Sequence, residues 1–378
     1  KLSPIEIGVV NQQGGSADVA PQWTIGTKIG ADFINNQAGG IDGHPVKLVN
    51  CFIPDQVANA THCGQQLAND KKISTITVGA VTIGNQAMEQ ALAPAKKVLV
   101  FGVATSPVDT VYKYGYILYG DGSHVEAPMA TFAKLLHAKS VSIVWANTPG
   151  GSVGPNIIVD ALKYEGIKQV YSVSYDPNQT DLTSPLEAAH VGKTDLFIAD
   201  GQGPGCAEMY TALKQLNIKT TVVANVPCDS TQTATADGGT LPKGWYYLTA
   251  NPLPGDASDP SLAAFAKVAK TYGEGQWAKD AWVGDSFGQM ITIAKWDTEL
   301  LKAHKPITPE TVNAKAKAFH GPVAQGAPHL NCGQFKAAPA VCNDLDQFFQ
   351  NTKPGVFKNF GGGWIGPPKG FQIPANLQ

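Results

Sequence analysis

The chain has 378 residues, 43% hydrophobic and only 15% charged, with a formal net charge of -2. That composition folds around a sizeable core and is long enough for two domains, which excludes an intrinsically disordered chain. The near-neutral charge, without Lys/Arg clusters, lacks the electrostatic footprint of a nucleic-acid binder. No apolar run approaches the roughly 18 residues that a bilayer span needs.

Lys1 leads almost at once into "IEIGVV". No secretory leader is visible, so an exported protein is expected here in mature form, with its signal peptide removed. Short apolar, β-branched runs at 5–10, 46–50, 74–78, 98–101, 141–145, 169–173, 195–199 and 220–224 read as strands. Helical-period stretches at 21–37, 55–69, 85–95, 125–137, 152–164, 183–189 and 207–216 alternate with them. Unalternated apolar strands separated by helices predict parallel sheets covered on both faces. "NQAGG" closes the first helix with glycines suited to left-handed caps.

The βα pattern runs twice, with its break at "YILYGDGSH", 116–124. Beyond "GWYYLTANPLPGDASDP" come helices at 261–272, 280–303 and around 309–318. The Gly/Pro-rich tail from Phe319 carries short apolar runs ("FFQNT", "GVFKNF", "GGWIG") that predict hairpin strands on a sheet edge. The fold class is α/β. A chain that builds one lobe, then a second, then returns crosses the junction more than once, which makes a hinge and a cleft.

Cys51, Cys63, Cys206, Cys228, Cys332 and Cys342 include no C-x-x-C pair, so zinc and thioredoxin-type readings are weak. Six cysteines allow fifteen connectivities, of which Cys51–Cys63, Cys206–Cys228 and Cys332–Cys342 is the simplest. Disulfides imply an oxidising compartment; six reduced, buried thiols in a cytosolic protein are the alternative.

Ligands of open parallel sheets bind beyond the carboxyl ends of the strands. Those positions here are 11–16, 79–84 and 102–106, then 146–152, 174–175, 200–203 and 225–226. They are mostly small, polar and neutral, which lets a ligand approach backbone N–H groups. The first turn lacks G-x-G-x-x-G, no acidic residue ends the second strand, and G-x-x-x-x-G-K-[ST] is absent, so a nucleotide cofactor is not expected. The histidines make no H-x-x-x-H and no Cys/His cluster, so no metal is expected either.

Gly150-Gly151-Ser152-Val153-Gly154 spells the G-x-S-x-G of a nucleophile elbow. Asp195 or Asp200 with His304, His320 or His329 would complete a triad in the required order. An elbow needs its serine directly after the strand, however, and Ala146 to Pro149 intervene. Ser152 therefore reads as an N-cap, and the chain is not expected to be an enzyme.

The stretches "IGVVNQQGGSADVAPQWTIGTKIGADFINNQAGGIDGHPVKLV", "VGAVTIGNQAMEQALAPAKKVLVFGVATSP", "VSIVWANTPGGSVGPNIIVDALKYEGI" and "DAWVGDSFGQMITIAKWDTELLKA" carry a resemblance. Through about Ala303 the chain resembles the type I periplasmic solute-binding proteins of ABC importers, in the branched-chain amino-acid (leucine/isoleucine/valine-binding) family. The helix-Gly-Gly-Ile-x-Gly-x-x-Val turn is its most specific part. The resemblance implies two Rossmann-like lobes joined by a three-crossover hinge, with lobe 1 at 1–120 plus 251–328 and lobe 2 at 121–250 plus 329–378. It further implies ligand capture between lobes by hinge closure, delivery to a membrane permease, and a periplasmic or cell-surface location, with lipid anchoring left open. A monomer with no cofactor and no nucleic-acid partner is expected. A serine hydrolase using Ser152 and the ligand-binding domain of a sensor or receptor are the alternatives.

By the same resemblance, the ligand carboxylate is held by Ala80, Val81, Thr82, Ile83 and Gly84 together with Ala104 and Thr105, with Gln13 nearby. Where the amino-acid binders place an acid for the ligand ammonium, this chain has Asn225. Their aromatic clasps fall at Gly150 and near Gln202, with Gly151 adding open space. A buried ammonium left without a carboxylate is costly. The expected ligand is therefore a more apolar or aromatic carboxylate rather than a simple α-amino acid, with Trp23 and Trp282 as candidate walls.

Overall fold

The computed structural model describes residues 2–15, 20–121, 126–148, 152–201, 204–252, 259–273, 275–278, 280–353 and 356–374. Strand β1 (Ile5–Gln12) pairs in parallel with β2 (Val46–Ile53) and β3 (Ile73–Val78). β4 (Val98–Ala104) and β5 (Gly115–Asp121) complete a parallel sheet of order β2-β1-β3-β4-β5. Every residue of β3 is buried, which is why the strand reads as an apolar and threonine run without alternation. Helices α1 (Gln22–Asn36), α2 (Val57–Asn69), α3 (Asn85–Leu92) and α4 (Pro107–Val111) link these strands.

The second sheet starts after α5 (Pro128–Leu135). Its strands and helices are β6 (Ser140–Ala146), α6 (Val153–Tyr164), β7 (Gln169–Tyr175), α7 (Thr183–Ala188), β8 (Leu196–Asp200), α8 (Pro204–Gln215), β9 (Thr221–Ala224), α9 (Thr231–Ala236) and β10 (Tyr246–Thr249). The chain then makes α10 (Pro260–Thr271), α11 (Ala281–Lys302) and α12 (Pro309–Lys317). Finally β11 (Asp346–Lys353) and β12 (Val356–Ile365) add an antiparallel hairpin, giving the order β12-β11-β10-β9-β8-β6-β7. This is the edge hairpin expected from the tail. Phe348 of β11 stacks on Phe132 of α5 with ring centroids 4.2 Å apart, and that contact seats the hairpin in the core.

The chain divides into two compact units, 1–122 with 254–343 and 123–253 with 344–378. Residues 329–343 thus differ from the expected lobe 2 assignment. They sit against β5, where Ile117 N donates to Ala340 O at 2.8 Å and Cys342 N to Ile117 O at 3.1 Å. The stretch 329–343 has no strand periodicity and carries no sign of such bridging, so its unit was not readable from the sequence.

In unit 1, α11 lies directly on α1. A Cβ on Gly26 would stand 2.0 Å from Ser286 Oγ, so only glycine permits this approach. The buried Gln289 then locks α11 to the sheet, accepting from Thr77 Oγ1 at 3.1 Å and donating to Val100 O at 3.0 Å. All three simplest cysteine pairings are present as disulfides. Cys51–Cys63 ties β2 to α2, and Cys206–Cys228 ties α8 to the loop after β9.

Candidate functional site

In unit 1 the parallel register aligns the strand ends. Val10 stands beside Val78, and Val78 beside Phe101, so the loops after β1, β3 and β4 leave the sheet from one edge. The ladder continues past the strands: Gly79 N donates to Val10 O at 2.8 Å and Gln12 N to Ala80 O at 3.2 Å. Within this layer Ala80, Val81 and Ala104 are buried, Ile83 and Gly84 are half-buried, and Thr82 and Thr105 are exposed. Gly84 adopts φ 78° at the start of α3, where a Cβ would stand 2.5 Å from Ala60 Cβ.

The loop donors have partners inside the chain. Thr82 N and Thr82 Oγ1 both donate to Gln12 Oε1, at 2.8 and 2.9 Å. Thr105 Oγ1 donates to Val81 O. Thr105 N donates to Asp109 Oδ2 at 2.9 Å, and Ser106 N donates to the same oxygen at 3.0 Å. Asn85 Nδ2 supplies Asp109 Oδ1 at 2.9 Å. Glu89, in α3, is also hydrogen-bonded to Asp109. Burial, this bond and the Asp109 charge push the Glu89 carboxyl up to about 9. Burial raises Asp109 too, but the hydrogen bonds it accepts oppose that rise. The hydrogen bonds that converge on Asp109 favour its charged form, while burial and the Asp109 bond favour the proton on Glu89.

Gln13 is half-buried, its Oε1 accepting from Thr24 Oγ1 at 2.6 Å and from Asn11 Nδ2 at 3.4 Å. Trp23 is only 1% exposed and packs with Ala20, Ala80 and Val103. A Cβ on Gly102 would meet its ring at 1.8 Å. The ring is thus a core element beneath the loops rather than part of their exposed face. Trp282, at the start of α11, is 44% exposed.

In unit 2, β6, β8 and β9 also end together, with Trp145 beside Asp200 and Ala199 beside Ala224. Gly150, Gly151 and Gln202 lie outside the described residues. Asn225 is 3% exposed; its Nδ2 donates to Asp200 Oδ1 and, at 3.1 Å, to Gly201 O. Burial pushes Asp200 up to about 7, against the opposing pull of the Asn225 bond. A carboxylate therefore does stand at the tip of Asn225, supplied by the neighbouring strand.

Ser152 stands at the N-cap position of α6, as expected, but without the capping bond. It has φ -80° and ψ -11° and makes no side-chain cap hydrogen bond, because its backbone is already helical rather than extended. As a nucleophile it also lacks company: among the described residues no carboxylate or histidine bonds its hydroxyl. Asp195 holds Ser140 N at 3.0 Å, at the amino end of β6, roughly 20 Å of strand away from the Ser152 end. Among the described residues no group of three or more His, Cys, Asp or Glu side chains could hold a metal ion. No described helix is long and apolar enough to cross a membrane.

Asn85, Glu89 and Asp109 were not among the expected site residues, while Gln12 and Asp200 lay within the expected strand-end segments without a role of their own. Only Ser106-Pro107-Val108-Asp109 carried a sequence signal, the pattern of a capping box, which the structure forms.

A family profile described as periplasmic binding protein matches residues 4–329. No curated protein matches the chain. Solved structures with the same fold include a leucine binding protein LivK from Thermotoga maritima, 18% identical with a TM-score of 0.68, covering 96% of this chain and 99% of that one. A fatty acid ABC transporter substrate-binding protein from Thermomonospora curvata is 17% identical with a TM-score of 0.72, covering 98% and 95%. The branched-chain amino acid transporter substrate binding protein LivJ from Streptococcus pneumoniae, in complex with isoleucine, is 14% identical with a TM-score of 0.67, covering 94% and 99%.

Proposed function

The chain belongs to the periplasmic binding protein family, and from that premise we propose that it is the extracytoplasmic solute-binding component of an ABC importer. It captures a small organic ligand other than a simple α-amino acid, performs no chemistry on it, and hands it to a membrane permease. Hinge closure around the ligand belongs to the same proposal.

The observation that carries this reading is the strand-end loop layer of unit 1. Small neutral residues form it, and internal hydrogen bonds from Thr82 and Thr105 fix it in place. Such a surface is preorganised for binding, while among the described residues no carboxylate or histidine bonds the Ser152 hydroxyl. The related folds carry names for leucine, isoleucine and fatty acids, so the architecture accommodates ligands from amino acids to long apolar chains. The internal engagement of the threonine donors weighs against an α-amino acid held through Thr82 and Thr105.

A thermal-shift panel of amino acids, aromatic acids, their amides and larger hydrophobic solutes tests the proposal. A ligand present at 100 times its dissociation constant should add about 2.7 kcal/mol to stability. A strong shift with leucine or valine would overturn the exclusion of amino acids. Hydrolysis of a panel ester, abolished in a folded Ser152→Ala variant, would overturn the whole reading.

A further inference from the structure

An anionic ligand group needs donors. In the unit 1 loop layer, the Thr82 N–H and hydroxyl are taken by Gln12, which is itself 1% exposed. The Thr105 hydroxyl is taken by Val81 O. The Thr105 and Ser106 N–H groups are taken by Asp109, also 1% exposed. Asn85 and Glu89 complete the shell around Asp109. The chain thus carries its own carboxylate where the Thr105 and Ser106 N–H groups converge.

A ligand carboxylate bound through Thr105 and Ser106 would have to displace Asp109 or share its donors. Displacement leaves a buried charge without partners, which costs far more than the new bonds return. Sharing places two like charges within a few ångströms, which the low-dielectric setting also penalises. An uncharged ligand group faces neither obstacle. Half-buried Ile83 and Val103 lie beside the two threonines, whose hydroxyls are engaged within the chain.

We propose that Thr82, Thr105 and Ser106 in the strand-end loops of unit 1 reject carboxylates and receive an uncharged ligand group, because Asp109, Gln12 and Val81 O already occupy their donors. This rests on the solute-binding reading above, and in these loops it replaces the carboxylate expected from the sequence with an uncharged group. Asp109 is on this account a positioning and specificity-determining residue.

The test follows the backbone amide signals of Thr82, Thr105 and Ser106 in isotope-labelled wild-type protein. The protein is titrated to millimolar levels with acetate, hexanoate and leucine. The expected result is that these signals do not move; saturable shifts with any of the three overturn the inference. In Asp109→Ala the emptied donors should accept acetate. The variant's melting temperature and the same amide signals should then respond saturably, with an affinity at least about tenfold above any in wild type. A folded Asp109→Ala without an acetate response overturns the proposal, and if that variant does not fold, the wild-type titration decides. A carboxylate bound through these amides would sink the inference and leave the solute-binding reading standing. Failure of every panel solute to raise the melting temperature would count against that reading and leave the acetate comparison intact.

Discussion

Replacing Glu89 by glutamine isolates the proton that the unit 1 site stores. Glu89 is 6% exposed and bonded to Asp109; burial, that bond and the Asp109 charge raise its carboxyl from 4.5 to about 9. Across that window the native protein binds one more proton at this position than the unfolded chain does. Stability therefore falls as pH rises, by up to about 1.4 kcal/mol per pH unit. Between about pH 6 and pH 8 the loss attributable to Glu89 is on the order of 3 kcal/mol. Glutamine carries no titrating proton, and its amide still donates toward Asp109. Buried Asp200 and Asp297, both raised to about 7, contribute the same slope to wild type and variant and cancel in the difference. Urea unfolding of the two proteins at a series of pH values and fixed ionic strength reads that difference directly. Glu89→Gln should gain on wild type steadily with rising pH. Parallel stability profiles would refute the placement of the proton on Glu89.

Three further outcomes follow from the packing and the bonds. Trp23→Ala should lose about 3–5 kcal/mol in chemical denaturation, as a filled core position does; a loss of ligand affinity with unchanged stability would mark Trp23 as a ligand wall instead. Asn225→Asp would set a second carboxylate against Asp200. That variant should be destabilised at about pH 8 and recover toward about pH 5, where one carboxyl of the pair regains a proton; a pH-independent effect would argue against contact between the two. Replacing both Cys206 and Cys228 by serine opens a loop of sequence separation 22 and should cost about 3 kcal/mol on the chain-entropy model. Unchanged unfolding of that double variant would contradict a structural role for the bond.

The fold was legible because its signals are local. Apolar runs such as "ISTITV" are buried along their whole length, and the intervening helices repeat at the expected spacing. The tail hairpin was legible from short apolar runs between glycines and prolines. Residues 329–343 were not, because their place is set by bonds to β5 rather than by any periodicity of their own. At the site, sequence position identified the strand-end loops but not where their donors point. That depends on Gln12 and Asp109 reaching them from other segments. The same limit hid Asp200, whose meeting with Asn225 joins the ends of two strands. Trp23 looked equally suited to a ligand wall or to the core, and the room that the glycine at 102 makes for its ring could not be read from the sequence.

The central claim is capture without chemistry. Native mass spectrometry, after incubation with each solute that raises the melting temperature, tests it most directly. The account predicts a bound mass equal to that of the intact solute, and the same solute recovered unchanged on denaturation. A recovered product of different mass, formed by wild type and not by a folded Ser152→Ala variant, would contradict it.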